Sequence, residues 1–364
     1  MSTQALRESM IANPLQHVPA WTVAAFDPTE GDLPRRSLDQ KGLQHYLTAL
    51  SEAGAPGVLL AASTGWGHAR TFEEHQATLI AAGNLPLPNC IKQSLLRIED
   101  PLKDNVSLLR KLQQLDYGIV WTRRGSQLLP KASDEEVADY MLPLVREATQ
   151  MNLPVGIYSI STVDKAPLKV GAAKLLLQKL GDELARRVVA VKITEPNFEN
   201  STLTYLNDPV FVNKKIVQGW DEFYGRALRE GTDEEGVQHC GATSGAAACM
   251  VYAYQVMYQA AQKNQWDKLA QIQQVVSKVF YSMQGVDKNL FPDLQIAKWM
   301  MGLGHPLTES RSSDDAQPVL DTLAKLARSS NPEHVQLIID SLLIMQDHPN
   351  YQSPLKKELT SIIQ

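Results

Sequence analysis

The sequence predicts an α/β protein, a (β/α)8 TIM barrel followed by a C-terminal helical extension. Three observations predict it. Short apolar runs alternate with longer amphipathic ones, the mark of strands alternating with helices. Eight such short runs can be read along the chain, and after the eighth the pattern becomes helical only. A doubly wound open sheet with a separate helical domain shares the alternation and stands as the alternative. A chain of 364 residues has room for one barrel, which commonly takes ~250 residues, and an extension. The expected organisation is an N-terminal extension over residues 1–18, a catalytic barrel over 19–250 and a helical extension over 251–364.

The strands are expected at residues 20–26, 57–62, 91–98, 117–121, 154–160, 188–194, 215–219 and 237–242. Helix starts between them carry capping-box signals: Ser37 with Gln40, Thr71 with Glu74, and Ser133 with Glu136. In each pair the hydroxyl accepts from an orphan N–H and the third residue reaches back. The first helix places Leu43, Tyr46, Leu47 and Leu50 on one stripe and stops at Gly54. A later stripe runs Val137, Tyr140, Met141, Leu144, Val145 and Ala148, with Pro143 expected to kink or split it. Past the eighth strand, helices are expected over 246–263, 266–283, 294–301, 318–328 and 332–345, with a short last one. Asn331-Pro332 supplies a cap followed by proline at the first helical position. The polar stretch 308–315 reads as a surface loop.

Bulk composition narrows the function classes. Apolar residues make up 44% and charged ones 21%, and the net charge is −5, a globular mixture with no basic run for nucleic acid. Three isolated cysteines, Cys90, Cys240 and Cys249, have no CxxC spacing, which favours a reducing compartment. The N-terminus has no apolar core of a secretory signal, and no apolar run approaches the ~18 residues of a membrane span. The expected location is the cytoplasm.

One residue breaks the pattern. Val188-Val189-Ala190-Val191-Lys192-Ile193-Thr194 reads as a strand buried on both faces, and Lys192 interrupts it. A buried ammonium tends to shed its proton, and a neutral lysine is a nucleophile toward ketones and aldehydes. The plain alternative is a strand-end lysine paired with Glu195. Lys92, Lys214 and Lys215 fall early in their strands and read as solvated rim.

Two further segments fall at strand ends, where barrel chemistry collects. After strand two comes Ser63-Thr64-Gly65-Trp66-Gly67-His68. Its glycines permit a tight turn in which successive N–H groups and two hydroxyls can converge on an anion, although an ordinary βα turn has the same composition. Strand five ends in Tyr158, a phenol able to relay protons or simply to pack. His68 is a candidate acid/base group or a solvated turn residue. Arg123-Arg124 suit a second carboxylate, or form an exposed pair. His239-Cys240 lacks further ligands at zinc-like spacing and reads as core.

Together these segments resemble the N-acetylneuraminate lyase / dihydrodipicolinate synthase family of class I aldolases, over roughly residues 19–250. The resemblance includes the opening strand Trp21-Thr22-Val23-Ala24-Ala25-Phe26 and the helix start Thr71-Phe72-Glu73-Glu74-His75. It implies that Ser63, Thr64 and Gly65 bind the keto-acid carboxylate, that Tyr158 is the strand-five tyrosine, and that Lys192 is the Schiff-base lysine. Gly219 falls where the family has a glycine in strand seven. It also implies a barrel with C-terminal helices, a homo-oligomer (tetramer or dimer), and neither metal nor organic cofactor.

The departures are specific. Trp66, followed by Gly67 and His68, stands where the family has an acidic or small polar residue after the turn glycine, so Trp66 and His68 are expected to shape the pocket for a different second substrate. The tyrosine segment reads Tyr158-Ser159-Ile160-Ser161 instead of the family's Tyr-Asn-x-Pro type. Val163 replaces the arginine that holds a second carboxylate in dihydrodipicolinate synthases, which argues against that specific role. The relay tyrosine that follows strand four in those enzymes has no counterpart in Trp121-Thr122-Arg123-Arg124-Gly125. The expected function is an aldolase or lyase, hydratase-aldolases included, acting on pyruvate or another 2-keto acid with an aldehyde partner. The competing class is a barrel that has lost catalysis and serves as a binding or regulatory protein.

Overall fold

In the computed structural model, eight parallel strands close a barrel in sequence order. The structure describes residues 2–30, 37–65, 67–287, 294–304 and 311–363. The strands are β1 (Trp21–Ala24), β2 (Gly57–Leu60), β3 (Ile91–Leu96), β4 (Ile119–Arg123), β5 (Val155–Ser159), β6 (Val188–Ile193), β7 (Lys215–Gln218) and β8 (Cys240–Ser244). All eight predicted strands are present. Two are displaced toward the C-terminus: β4 extends through Arg123 and β8 begins at Cys240.

The helices before and within the barrel are α1 (Thr3–Ala12), α2 (Pro14–His17), α3 (Gln40–Glu52), α4 (Phe72–Gly83), α5 (Leu102–Gln114), α6 (Asp134–Gln150), α7 (Ser161–Asp164), α8 (Val170–Leu180), α9 (Asp182–Ala185), α10 (Thr202–Leu206) and α11 (Tyr224–Glu230). The extension carries α12 (Val251–Gln262), α13 (Trp266–Asp287), α14 (Gln295–Met300), α15 (Ser313–Ser329), α16 (Pro332–Leu342) and α17 (Lys356–Ser361). By contacts the chain divides into two compact units, Met1–Thr22 with Ile91–Thr243, and Val23–Cys90 with Ser244–Gln364.

In the first unit the strand register fixes which side chains share the inner face. Arg123 pairs with Tyr158, Tyr158 with Lys192, and Lys192 with Val217. Cross-strand partners point the same way, so these residues form one layer. The layer below holds Trp121 beside Gly156 and Ala190 beside Lys215. A β-carbon on Gly156 would lie 2.1 Å from the Trp121 ring, so glycine there makes room for the indole. Trp121 Nε1 donates to Gln93 Oε1 at 2.7 Å, and Gln93 Nε2 donates to Thr22 Oγ1 at 2.9 Å. Trp121, Gln93 and Thr22 thus satisfy one another inside the barrel.

The residue 1–18 segment, whose purpose the sequence does not show, is helical and docked. Ser2 caps α1, and Arg7 on that helix is buried. Its guanidinium donates to the carbonyls of Tyr117 at 2.7 Å and Gln113 at 3.0 Å, just before β4. Met10 packs beside Gly118. Lys215 is also buried, against expectation, and its Nζ donates to the carbonyls of Leu15 at 2.9 Å and Gln238 at 2.6 Å. Lys214 reaches the carbonyls of Ala185 and Val188, and Lys92 is buried as well. The solvated-rim assignment of these lysines is therefore corrected. Local sequence says nothing about carbonyls supplied from distant segments.

Helix signals held in two of three cases. Thr71 with Glu74 and Ser133 with Glu136 form complete capping boxes. Ser37 does not cap α3; Asp39 does, accepting from Gly42 N at 2.9 Å. The carboxylate lies immediately before the helix, in the position from which it reaches the third N–H. Helix α6 runs through Pro143 without a break.

In the second unit, α15 begins at Ser313 under a Ser312/Asp315 capping box, with Pro318 inside it. The expected loop at 308–315 is thus corrected for residues 313–315, while 308–310 lie outside the described residues. Tyr46 of α3 donates to the Ala248 carbonyl at 2.9 Å. Thr29, after β1, bridges to Gly304, where a β-carbon would lie 2.4 Å from the Thr29 carbonyl oxygen.

Candidate active site

Lys192 lies one residue before the end of β6 and is 5% exposed. Its Nζ stands over the Tyr158 ring, 4.1 Å from the centroid. The predicted alternative, a pair with Glu195, is not formed. Period-two alternation turns Glu195 to the other side, where it accepts from Ser159 Oγ at 2.6 Å and from Ser161 N at 3.0 Å, with Ser161 Oγ on its second oxygen. No carboxylate among the described residues lies within ion-pair distance of Lys192. Burial lowers its pKa to about 7, against a smaller opposing pull from Asp221.

The chain's other buried lysine on the inner face behaves differently. Burial takes Lys215 to about 8, but two carbonyls hold its ammonium at the start of β7. Lys192 has the poised amine and the strand-end position.

Tyr158 is buried, and burial pushes its phenol above the ordinary range, so it is a neutral donor near pH 7. Its hydroxyl lies 3.0 Å from Thr194 Oγ1. Thr194 is two residues beyond Lys192 on the same face, and sequence reasoning passed over it as a strand terminus. Two-residue spacing along the strand, counted from Lys192, would have found it. Gly219 explains how the two fit. A β-carbon there would lie 2.0 Å from Thr194 Oγ1 and 3.0 Å from Lys192 Cε. The glycine expected from resemblance has a steric reason: nothing larger clears both side chains.

Arg123 and Arg124 are buried and engaged, which corrects both expectations for them. Arg123 pairs with Asp164 and, at 3.1 Å, with Glu99. Arg124 donates to the carbonyls of Asp164 and Leu129. Burial raises Asp164 to about 6 despite Arg123. For Glu99, burial raises the pKa, but Arg123 and the Ser126 hydrogen bonds outweigh it and the net shift is downward. The partners lie 24 and 41 residues from Arg123, beyond the reach of a local reading.

In the second unit, Ser63–Gly65 and Gly67–Ala69 each form a single 3-10 turn after β2. Ser63 and Thr64 are nearly buried, and among the described residues neither hydroxyl has a hydrogen-bond partner. The N–H groups of Gly65 and Gly67 both donate to the Ala62 carbonyl, at 3.1 and 2.9 Å. The predicted cradle of consecutive N–H groups is therefore corrected at Gly65, whose own N–H is spent inside the turn. Gly67 is sterically required, since a β-carbon would lie 1.9 Å from the Ala61 carbonyl oxygen. His68 is half-buried, and Trp66 lies outside the described residues. His239 is also corrected from core: it is partly exposed and lies 3.0 Å from Asp233. Among the described residues no group of three His, Cys, Asp or Glu side chains is arranged to hold a metal, and no helix is long and apolar enough to cross a membrane.

No protein-family model and no curated protein matches the sequence. Solved structures do match the fold. A variant of the Sulfolobus solfataricus 2-keto-3-deoxygluconate aldolase aligns at TM-score 0.67 and 18% identity, covering 85% of this chain and 98% of that one. CdNal from Clostridium difficile, in complex with mannosamine, aligns at 0.69 and 16%, covering 85% and 99%. The Ruminococcus gnavus sialic acid aldolase aligns at 0.68 and 15%, covering 89% and 97%. The barrel with C-terminal helices that the sequence resemblance implies is the fold these aldolase structures share with this chain.

Proposed function

We propose that this chain is a class I aldolase or lyase of the N-acetylneuraminate lyase / dihydrodipicolinate synthase type, forming a Schiff base between Lys192 and pyruvate or another 2-keto acid. The observation that carries the reading is the environment of Lys192. It is buried at a strand end, free of any described carboxylate partner, with a pKa near 7 and its Nζ over Tyr158.

In this reading the neutral amine adds to the keto carbon, and the carbinolamine loses water to give a protonated imine. The imine withdraws electrons from the adjacent carbon. Loss of a proton there gives an enamine that attacks an aldehyde, and the reverse sequence cleaves the same C–C bond. Tyr158, neutral and hydrogen-bonded to Thr194, carries the proton between carbinolamine oxygen and solvent or substrate. The hydroxyls of Ser63 and Thr64 receive the carboxylate. Gly65 shapes that turn, Gly219 keeps space for Lys192, and His68 borders the second reactant. Arg123 is neutralised by Glu99 and Asp164, and Val163 offers no charge, so a second carboxylate has no ready cation there. That supports a substrate other than the one dihydrodipicolinate synthases use.

The test is reductive trapping. Borohydride with pyruvate should leave a reduced adduct that peptide mapping places on Lys192, absent from Lys192→Ala and slowed at least tenfold in Tyr158→Phe. Absence of any adduct across a panel of 2-keto acids refutes the imine mechanism.

A further inference from the structure

The turn that carries Ser63 and Thr64 rests on a buried ion pair that the mechanism above does not use. Arg70 follows the second 3-10 turn, and Asp27 follows β1. Their side chains are 1% and 0% exposed, with Arg70 Nε 3.1 Å from Asp27 Oδ2. The same Nε–H donates to the Gly65 carbonyl at 3.3 Å. Asp27 also packs against Gly65 directly, since a β-carbon on that glycine would lie 2.9 Å from Asp27 Cγ and 3.0 Å from Oδ1. A second cation, Lys298 of α14, faces Asp27 and donates to Thr29 Oγ1 at 3.2 Å.

A buried arginine–carboxylate pair is poor evidence for stability, because desolvation consumes most of the attraction. What such a pair does supply is a fixed direction: a planar guanidinium anchored by one partner orients another. Here the oriented partner is the carbonyl of Gly65. With Gly65 N–H and Gly67 N–H both on the Ala62 carbonyl, the peptide planes around Thr64 are held from two sides. The hydroxyls of Ser63 and Thr64 are the groups left to face a ligand.

We propose that Arg70 is a positioning residue for the keto-acid carboxylate, holding the Gly65 carbonyl so that Ser63 and Thr64 present their hydroxyls, with Asp27 anchoring the guanidinium from below. The inference rests on the aldolase reading and deepens it, because it assigns carboxylate affinity to a residue that touches no substrate. A positioning defect of this kind weakens binding of the carboxylate and leaves the amine alone.

The experiment is reductive trapping on the full chain, comparing pyruvate with acetone, a ketone that lacks the carboxylate. In Arg70→Lys the pyruvate concentration giving half-maximal trapping should rise at least tenfold, while acetone trapping on Lys192 changes less than threefold. A double variant, Arg70→Met with Asp27→Asn, removes both charges of the pair together, so neither partner is left as an unpaired charge by the loss of the other; it should show the same split, more strongly. An unchanged pyruvate half-saturation in Arg70→Lys overturns the inference, and so does an equal loss with both ketones. Should the double variant not fold, Arg70→Lys decides. A wild-type chain that traps no keto acid sinks the aldolase reading itself, an outcome the variants do not share.

Discussion

The rate of imine formation should follow the titration of Lys192. With a pKa of about 7, about half of the amine is neutral at pH 7, whereas at the ordinary lysine value of 10.5 about one in three thousand is. Burial therefore raises the nucleophile's concentration by roughly three orders of magnitude at neutral pH. The assay is trapping with pyruvate and cyanoborohydride from pH 5 to 9, followed by intact mass. The logarithm of the rate should climb with unit slope and bend near pH 7, and at pH 6 it should be about tenfold below the plateau. The same shift has a stability signature. The folded pKa is depressed, so the unfolded chain binds the extra proton between about 7 and 10.5, and stability rises with pH across that window. Below pH 7 the penalty is complete, at most about 5 kcal/mol at 1.36 kcal/mol per pH unit. Lys192→Met should therefore be more stable than the parent at pH 6.5, with an advantage that shrinks by pH 9.5 in urea titrations. A rate that keeps rising to pH 9 with no bend, or a variant advantage independent of pH, would refute the claim that desolvation poises this amine.

Two further perturbations test the packing around it. Gly219→Ala places a β-carbon 2.0 Å from Thr194 Oγ1, so the Tyr158–Thr194 bond must break; trapping should slow by ~10²-fold with ~1–3 kcal/mol lost in denaturant titration, and parent-like kinetics would contradict the steric account. Arg7→Met leaves the Tyr117 and Gln113 carbonyls without their donor and should cost about 2–4 kcal/mol, seen as a lowered urea midpoint with the Lys192 adduct still formed in the folded protein.

Much of the architecture was legible because it depends on periodicity. All eight strands could be placed, since short apolar runs such as that of β6 alternate with longer amphipathic stretches, and capping residues mark helix starts at Thr71 and Ser133. Lys192 stood out for the same reason: a charge in that run is an anomaly against a regular background. What escaped was long-range. Lys215 read as solvated rim, Arg123 as a carboxylate binder or an exposed residue, and Arg7 drew no reading at all, because their partners are carbonyls or carboxylates 24 to 200 residues away, and no local window contains them. Thr194 escaped for a different reason, being an unremarkable residue whose position relative to Tyr158 matters more than its type. Within the proposed carboxylate turn, Ser63 and Thr64 were visible as a motif. Arg70 was not, because only the fold shows that its guanidinium meets both Asp27 and the Gly65 carbonyl.

The docking of α1 has a consequence for how the chain is made. Arg7 donates to a carbonyl 110 residues ahead of it, and Leu15 accepts from a lysine 200 residues ahead. Emerging from the ribosome at ~5–20 residues per second, the first helix waits on the order of ten seconds or more before Lys215 exists to meet it. During that interval Met10 has no core to enter. This helix is thus fixed in place only after the strands that begin near Ile119 and at Lys215 have been made.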